Sequence, residues 1–329
     1  MDSLDALDDA MARHFALSLV ARLLHLGLFN SIAQGARTLE LAAICGVEPD
    51  AFEAAIGFAV RFSGLLKNEE EGRVQLSDFL IDSDTARFRT LKYLGTYHPC
   101  VINLGEATPA NELLALAYKQ LSRRSPVGLI SYLMELKPRS VLEIGCGSAP
   151  VLRALASQDP EVCGLAVDCD TSMTDLAREL VQAQQLTERI AVAEASLSEL
   201  AEHRPKGHPP FDVLVLRSVL NETFARKGEP ARILARLAAT HSGARLVVCE
   251  YLSQLGTPAG RECGAVQTLT HDLVQMLSGQ GLPPAALEGW DDIYNTAGLH
   301  RLSRRVDDTL GGITQFIDLI APEKAEVAP

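Results

Sequence analysis

Three observations predict an α/β chain, with a doubly wound, mostly parallel sheet behind a mainly helical N-terminal domain. From residue 138 onward, short apolar runs alternate with amphipathic segments. The first run, Ser140-Val141-Leu142-Glu143-Ile144, opens directly into a glycine turn, Gly145-Cys146-Gly147-Ser148-Ala149. The first hundred residues instead carry apolar side chains at helical spacing.

Taken in order, Leu17, Val20, Leu23, Leu24 and Leu28 mark a first helix, which Gly27 and Phe29-Asn30 close. Thr38 is read as the N-cap of a second helix carrying Leu41 to Ile44, with Gly46 as its stop. Glu48-Pro49-Asp50 opens a third, which carries Phe52, Ile56, Ala59 and Val60 and ends near Gly64. Helix, glycine turn, helix is helix-turn-helix geometry. A turn at Glu70-Glu71-Gly72-Arg73 and a short strand, Val74-Gln75-Leu76, add a wing, so residues 1–85 are read as a winged-helix-like domain. Its second helix offers Asp50, Glu53 and only Arg61, beside Asn68-Glu69-Glu70-Glu71, and such a face repels phosphates.

Residues 86–137 read as a helical linker and lid, unusually rich in tyrosine: Tyr93, Tyr97, Tyr118 and Tyr132, with His98 and Asn103 among them. Either these side chains line a ligand pocket, or they pack the lid with their hydroxyls in water. Residues 138–320 form the α/β domain. Strands are expected at 140–144, 162–167, 189–193, 211–216 and 245–250, and helices at 151–158, 173–185 and 229–240. Residues 321–329 read as a flexible tail. Open α/β sheets bind ligands at the carboxyl ends of their strands. Those ends hold Gly145, Asp168, Glu194-Ala195-Ser196, Arg217-Ser218 and Glu250.

Composition narrows the field. The 329 residues are 47% hydrophobic and suffice for two cored domains. A net charge of −12 without a dense Lys/Arg cluster argues against nucleic acid and anionic membrane as partners. The seven cysteines show no C-x-x-C pair and no zinc spacing, so they are read as buried free thiols and no metal is expected. The acidic start, Met1-Asp2-Ser3-Leu4-Asp5, is no signal peptide, and no apolar stretch is long enough to cross a bilayer. A reducing cytoplasm fits these features.

A strand that turns through glycines into a helix lets a ligand approach the backbone and offers it free amide donors. Asp168, ending the second apolar run, is spaced to bind ribose hydroxyls. The turn lacks the Gly-Lys-Ser/Thr of a phosphate loop. Pro150-Val151-Leu152 does not supply the third glycine of a dinucleotide fingerprint.

Val141 to Ala149 instead resembles the first motif of class I S-adenosylmethionine-dependent methyltransferases, whose fold is Rossmann-like. Glu143 matches the acid before the loop, and Ala149 stands where the usual third glycine would be. Leu26-Gly27-Leu28-Phe29 through Leu65-Leu66 to Leu76-Ser77 resembles the N-terminal dimerisation domain of small-molecule O-methyltransferases, which implies a homodimer. Phe211 to Arg217 matches that family's fourth strand, Asp272 to Leu277 its Asp-x-x-x-Met-Leu helix, and Trp290 through Ala297-Gly298-Leu299 its near-terminal helix. The resemblance implies S-adenosyl-L-methionine as cofactor, held by Glu143, Gly145, Gly147, Asp168, Ala195, Ser196 and Arg217. It implies a substrate pocket at Tyr93, Tyr97, Asn103, Tyr118 and Met276.

One departure bears on the chemistry. Where the family reads Val-Leu-His-Asp-Trp, this chain reads Val219-Leu220-Asn221-Glu222-Thr223. The family histidine is the general base, and an asparagine amide has no useful basicity. Glu250 matches an acid that orients the missing histidine, while the loop Gly279 to Pro284 lacks the second acid. The candidate catalytic residues are therefore Asn221, Glu222, Glu250 and His271, with Glu222 or His271 as a substitute base. Alternatively, a carbon or nitrogen nucleophile needs no strong base, or the cofactor is itself the substrate. The sequence thus points to a methyltransferase acting on a small molecule of biosynthetic, secondary metabolism, at carbon or nitrogen rather than by histidine-assisted O-methylation. The alternatives are a cyclase or lyase releasing methylthioadenosine, and an inactive cofactor-binding regulatory protein. The identity of the acceptor stays open.

Overall fold

The computed structural model describes residues 3–258, 260, 265–310 and 313–322. By its internal contacts the chain divides into two compact units, Met1–Ile102 with Thr108–Leu121, and Asn103–Ala107 with Ser122–Pro329. The segment 86–137, expected as a linker and lid, is shared between them.

The first unit is mainly helical. Helices α1 (Ser3–His25), α2 (Phe29–Ala33), α3 (Thr38–Cys45) and α4 (Pro49–Ser63) are followed by α5 (Asp78–Ile81) and α6 (Asp84–Arg89). A π-helical stretch (Thr90–Tyr97), α7 (His98–Ile102) and α8 (Asn111–Gln120) complete it. Gly46 and Gly64 end α3 and α4 in left-handed geometry, as their sequence positions suggest. Phe29 and Asn30 do not close α1 but begin α2. Thr38 is the first residue of α3, not its cap, and its hydroxyl donates to the Gly72 carbonyl at 3.0 Å. That bond ties α3 to a small antiparallel sheet, β1 (Ala36–Arg37), β3 (Arg73–Leu76) and β2 (Leu66–Glu69), in the order β1-β3-β2.

The second unit is a seven-stranded sheet, ordered β6-β5-β4-β7-β8-β10-β9. Strands β4 (Ser140–Ile144), β5 (Cys163–Asp168), β6 (Ile190–Glu194), β7 (Val213–Arg217) and β8 (Arg245–Tyr251) are parallel. They lie within two residues of the runs that predict them. Their alternate side chains feed two cores. Val141, Val213, Val215 and Val247 face α9 (Val127–Leu136), α10 (Pro150–Gln158) and α11 (Thr171–Ala183). Leu142, Leu165, Leu214 and Leu246 join α12 (Leu197–Glu202), α13 (Glu229–Thr240) and the late helix α15 (Leu287–Thr296). Helix α14 (Val266–Leu277) precedes that one in the chain.

One strand runs the other way, and the edge strand beyond it runs with the rest. β10 (Ile313–Pro322) pairs antiparallel with both β8 and β9 (Leu299–Leu310). Nothing in the sequence reading places them. They also correct the expected tail: Ala321 and Pro322 end β10, and residues 323–329 lie outside those described.

Candidate functional site

The site is built where β4, β5, β7 and β8 end. Buried Glu143 turns its carboxylate to the start of α10 and accepts from Val151 N at 3.2 Å and Leu152 N at 2.8 Å. Burial pushes its pKa up to about 7, against the lowering effect of those two bonds. Both oxygens are thus committed to a helix N-terminus, so the residue shapes the loop from beneath. Gly145 has a φ of +62°, and a Cβ there would meet Val219 Cγ2 at 2.7 Å. Glycine is needed at that point by conformation and by space alike. Gly147 has a φ of +53°, with nothing within 4 Å of where its Cβ would be. Ala149 adopts the same left-handed region at φ 52°, a strained choice for a residue with a Cβ.

Arg153, buried on α10, donates to the Ser148 carbonyl at 3.0 Å and the Ser122 carbonyl at 3.2 Å. It fixes the far end of the loop and is absent from the sequence-derived set. Its signal is a lone arginine on an otherwise apolar helix face.

Asp168 ends β5. Its Oδ2 accepts from Gly147 N at 2.8 Å and its Oδ1 from Asp170 N at 3.1 Å, so the acid and the glycine loop are in direct contact. Burial raises its pKa, opposed by these backbone donors. Ala195 N donates to the Asp168 carbonyl at 3.0 Å, which sets the end of β6 beside β5. Ser196 caps α12 through a capping box: Glu199 N donates to its hydroxyl at 3.2 Å, and Glu199 Oε2 accepts from Ser196 N at 2.7 Å.

After β7 the chain turns sharply. Ser218 has a φ of 52°, and Leu220–Thr223 form a single 3₁₀ turn. Buried Glu250, at the end of β8, organises that turn: its Oε1 accepts from Val219 N and Leu220 N, each at 2.9 Å. Burial raises its pKa to about 8, partly offset by the backbone donors, and the nearby Glu222 raises it further. Asn221 is buried and Glu222 exposed. On α14, His271 sets its ring 4.9 Å from that of Tyr251. Asp272 Oδ2 accepts from Ser253 Oγ at 3.2 Å, Gln254 N at 2.7 Å and Leu255 N at 2.9 Å, which pins the loop after β8 to this helix.

One end of the sheet therefore gathers Glu143, Gly145, Gly147, Asp168, Ala195, Ser196, Arg217, Asn221, Glu222 and Glu250. The remaining sequence candidates fall on both units. Tyr93, Tyr97 and Tyr118 belong to the first unit, where Tyr118 packs edge-on against Phe88 at 5.4 Å. Asn103 and Met276 belong to the second and are exposed there. Among the described residues, no group of His, Cys, Asp or Glu is placed to hold a metal ion.

Residues 141–241 match a protein family described as a methyltransferase domain. The chain carries a methyltransferase domain. That match spans the glycine loop, Asp168, Ala195, Ser196, Arg217 and Asn221. No curated protein matches the chain in sequence. Solved structures do match in fold. The mitomycin 7-O-methyltransferase MmcR aligns with a TM-score of 0.64 and 16% identity, over 98% of each chain. LaPhzM aligns with a TM-score of 0.66 and 15% identity, over 98% of this chain and 100% of its own. The neocarzinostatin-biosynthesis O-methyltransferase NcsB1, solved with S-adenosylmethionine and 2-hydroxy-5-methyl naphthoic acid, aligns at 0.60 and 19%, over 95% and 96%. In fold, the chain is thus similar to these structures, with a Rossmann-like sheet in the second unit and a mainly helical first unit.

Proposed function

We propose that this protein is an S-adenosylmethionine-dependent methyltransferase that acts on a small biosynthetic molecule, at carbon or nitrogen rather than by histidine-assisted transfer to oxygen. Asn221 carries this reading. It occupies the turn that Glu250 organises, is buried, and its Oδ1 has no hydrogen-bond partner. An amide there can hold a polar atom of the acceptor but cannot take its proton. A nucleophilic carbon or an amine needs mainly positioning.

The residues at the strand ends suit the cofactor. Open space over Gly147 admits a ligand against the backbone, and Asp168 stands beside it to take ribose hydroxyls. S-adenosyl-L-methionine, when bound, supplies a methyl group activated by its sulfonium. Gly145, Gly147 and Asp168 would hold its ribose and methionine part, and Ala195, Ser196 and Arg217 the rest. With the Ser196 hydroxyl committed to its cap, that residue acts through its backbone and side-chain surface. Glu143 and Glu250 hold the two loops in place. Tyr93, Tyr97, Tyr118, Asn103 and Met276 are assigned to the acceptor side, and Glu222 and His271 remain the candidate bases.

We further propose a homodimer formed through the first unit, because α1 exposes the apolar stripe Leu4, Leu7, Met11 and Phe15. The described cysteines are free, although Cys163 and Cys169 are exposed rather than buried as expected, and free thiols support a cytoplasmic location. No helix of the described residues is long and apolar enough to cross a membrane.

The deciding experiment incubates the protein with S-adenosylmethionine alone and resolves the nucleosides by liquid chromatography and mass spectrometry, with Asp168→Ala as control. The expected result is unchanged cofactor, turned over to S-adenosylhomocysteine only when an acceptor is added. Enzyme-dependent methylthioadenosine, absent from the control, would overturn the reading in favour of a cyclase or lyase.

A further inference from the structure

Helix α14 buries a row of polar side chains. Thr268, Asp272 and Gln275, at helical spacing i, i+4, i+7, are buried, with Gln275 2% exposed and Asp272 fully covered. Of its apolar side chains, Val274 is buried, Leu269 and Leu277 are half-buried, and Val266, Leu273 and Met276 are 79%, 36% and 43% exposed. A helix that serves only to cover a core buries apolar side chains along that row. The buried polar face is also incompletely satisfied. Asp272 spends Oδ2 on the loop after β8, but its Oδ1 has no hydrogen-bond partner, and neither has Gln275 Nε2. Asn221 Oδ1 and Glu250 Oε2, at the neighbouring strand ends, are buried atoms without a partner as well. A buried polar atom left unpaired is costly, so such atoms concentrate where something else satisfies them.

We propose that the buried polar face of α14 is a hydrogen-bonding subsite for the acceptor, in which Asp272 Oδ1 accepts from the ligand and Gln275 Nε2 donates to it. Side chains three apart on a helix are neighbours, about 5–6 Å between their Cβ atoms. An acceptor beside a donor at that separation complements a group that presents N–H next to C=O, as a carboxamide or lactam does. This assignment rests on the small-molecule methyltransferase reading. It adds that the acceptor is an amide-bearing molecule, read by α14 at a point distinct from the cofactor loop.

The test uses the full-length protein and benzamide as probe, with affinities from saturation-transfer NMR, with and without S-adenosylhomocysteine. Acetophenone keeps the carbonyl but lacks the N–H, and should bind about tenfold more weakly. Gln275→Leu should weaken benzamide by about tenfold while S-adenosylmethionine affinity by calorimetry and the thermal melt stay as in the parent. Asp272→Asn keeps an oxygen for Gln254 N and Leu255 N and puts N–H groups where Oδ1 stood. It should therefore gain affinity for benzoate, which the parent should refuse, a reversal that loss of packing would not produce. Equal binding of benzamide and acetophenone, no binding of benzamide, or indifference of benzamide to Gln275→Leu would each overturn the subsite. Failure of the protein to bind S-adenosylmethionine, with the benzamide preference intact, would instead overturn the proposed function and uphold the subsite.

Discussion

Gly145 and Val219 show how single residues set this site. The Val219 side chain occupies the space where a Cβ on Gly145 would stand, so the glycine loop and the turn that carries Asn221 are packed directly on each other. Gly145→Ala should cost about 1–3 kcal/mol, from overpacking added to a φ that disfavours a Cβ. Adding Val219→Ala should return part of it, and a double-mutant cycle by denaturant unfolding measures the coupling; strict additivity would refute the contact. Glu143 and Glu250 act through their protons. Burial raises their pKa values to about 7 and about 8 from an ordinary 4.5, so the folded chain holds protons that the unfolded chain releases above pH 4.5. The stability they contribute is complete below that pH and is lost as pH rises through 7 to 8. The melting temperature should therefore fall across this window, and Glu250→Gln should flatten the fall. The sequence displayed Gly145, Gly147 and Asp168 because strand ends and glycine spacing are local signals. It did not display the roles of Val219, Arg153 or Asp272, because each depends on a partner distant in the chain.

At the level of elements, the same contrast explains which strands were legible. β4, β5, β7 and β8 are short and largely buried, so they read as apolar runs. β9 is an edge strand that carries Arg301, Arg304 and Arg305 and leaves Leu302 and Val306 about half exposed, so its pattern resembles a loop. β10 does contain an apolar run, Phe316-Ile317-Asp318-Leu319-Ile320, interrupted by a charge that the fold neutralises. Asp318 is fully buried and accepts from Arg304 Nε at 2.7 Å, Arg304 Nη2 at 2.6 Å and the Tyr294 hydroxyl at 3.0 Å. Arg304 also reaches Asp291 at 3.0 Å. This network joins α15, β9 and β10, and β10 in turn supports β8 and its Glu250, which pairs with Phe316 in register. Removing one partner of a buried ion pair costs about 3–5 kcal/mol, because the other is stranded. Asp318→Ala should lose stability on that scale by chemical denaturation. A loss below about 1 kcal/mol would mean that Asp291 alone suffices for Arg304.

For the molecule as a whole, the question is what covers α1. Leu4, Leu7, Met11 and Phe15 recur every three or four residues along one face and are 70%, 53%, 44% and 58% exposed, while Val20, Leu23 and Leu24 further along the same helix are buried. The helix thus enters the core of its own unit with one end and offers an apolar stripe with the other, spanning about 16 Å at 1.5 Å per residue. A net charge of −12 disfavours random association, so a stripe of this kind needs a specific partner. A second copy meets that need with the same patch on both sides, as two-fold symmetry requires. Leu7→Glu combined with Phe15→Glu places charges on that stripe without touching the buried core. Light scattering on the parent chain should give twice the mass of the chain, and the double variant the mass of one, with the melting of the second unit little changed. A parent chain that stays monomeric at tens of micromolar would refute the dimer, and the stripe would then need a different occupant.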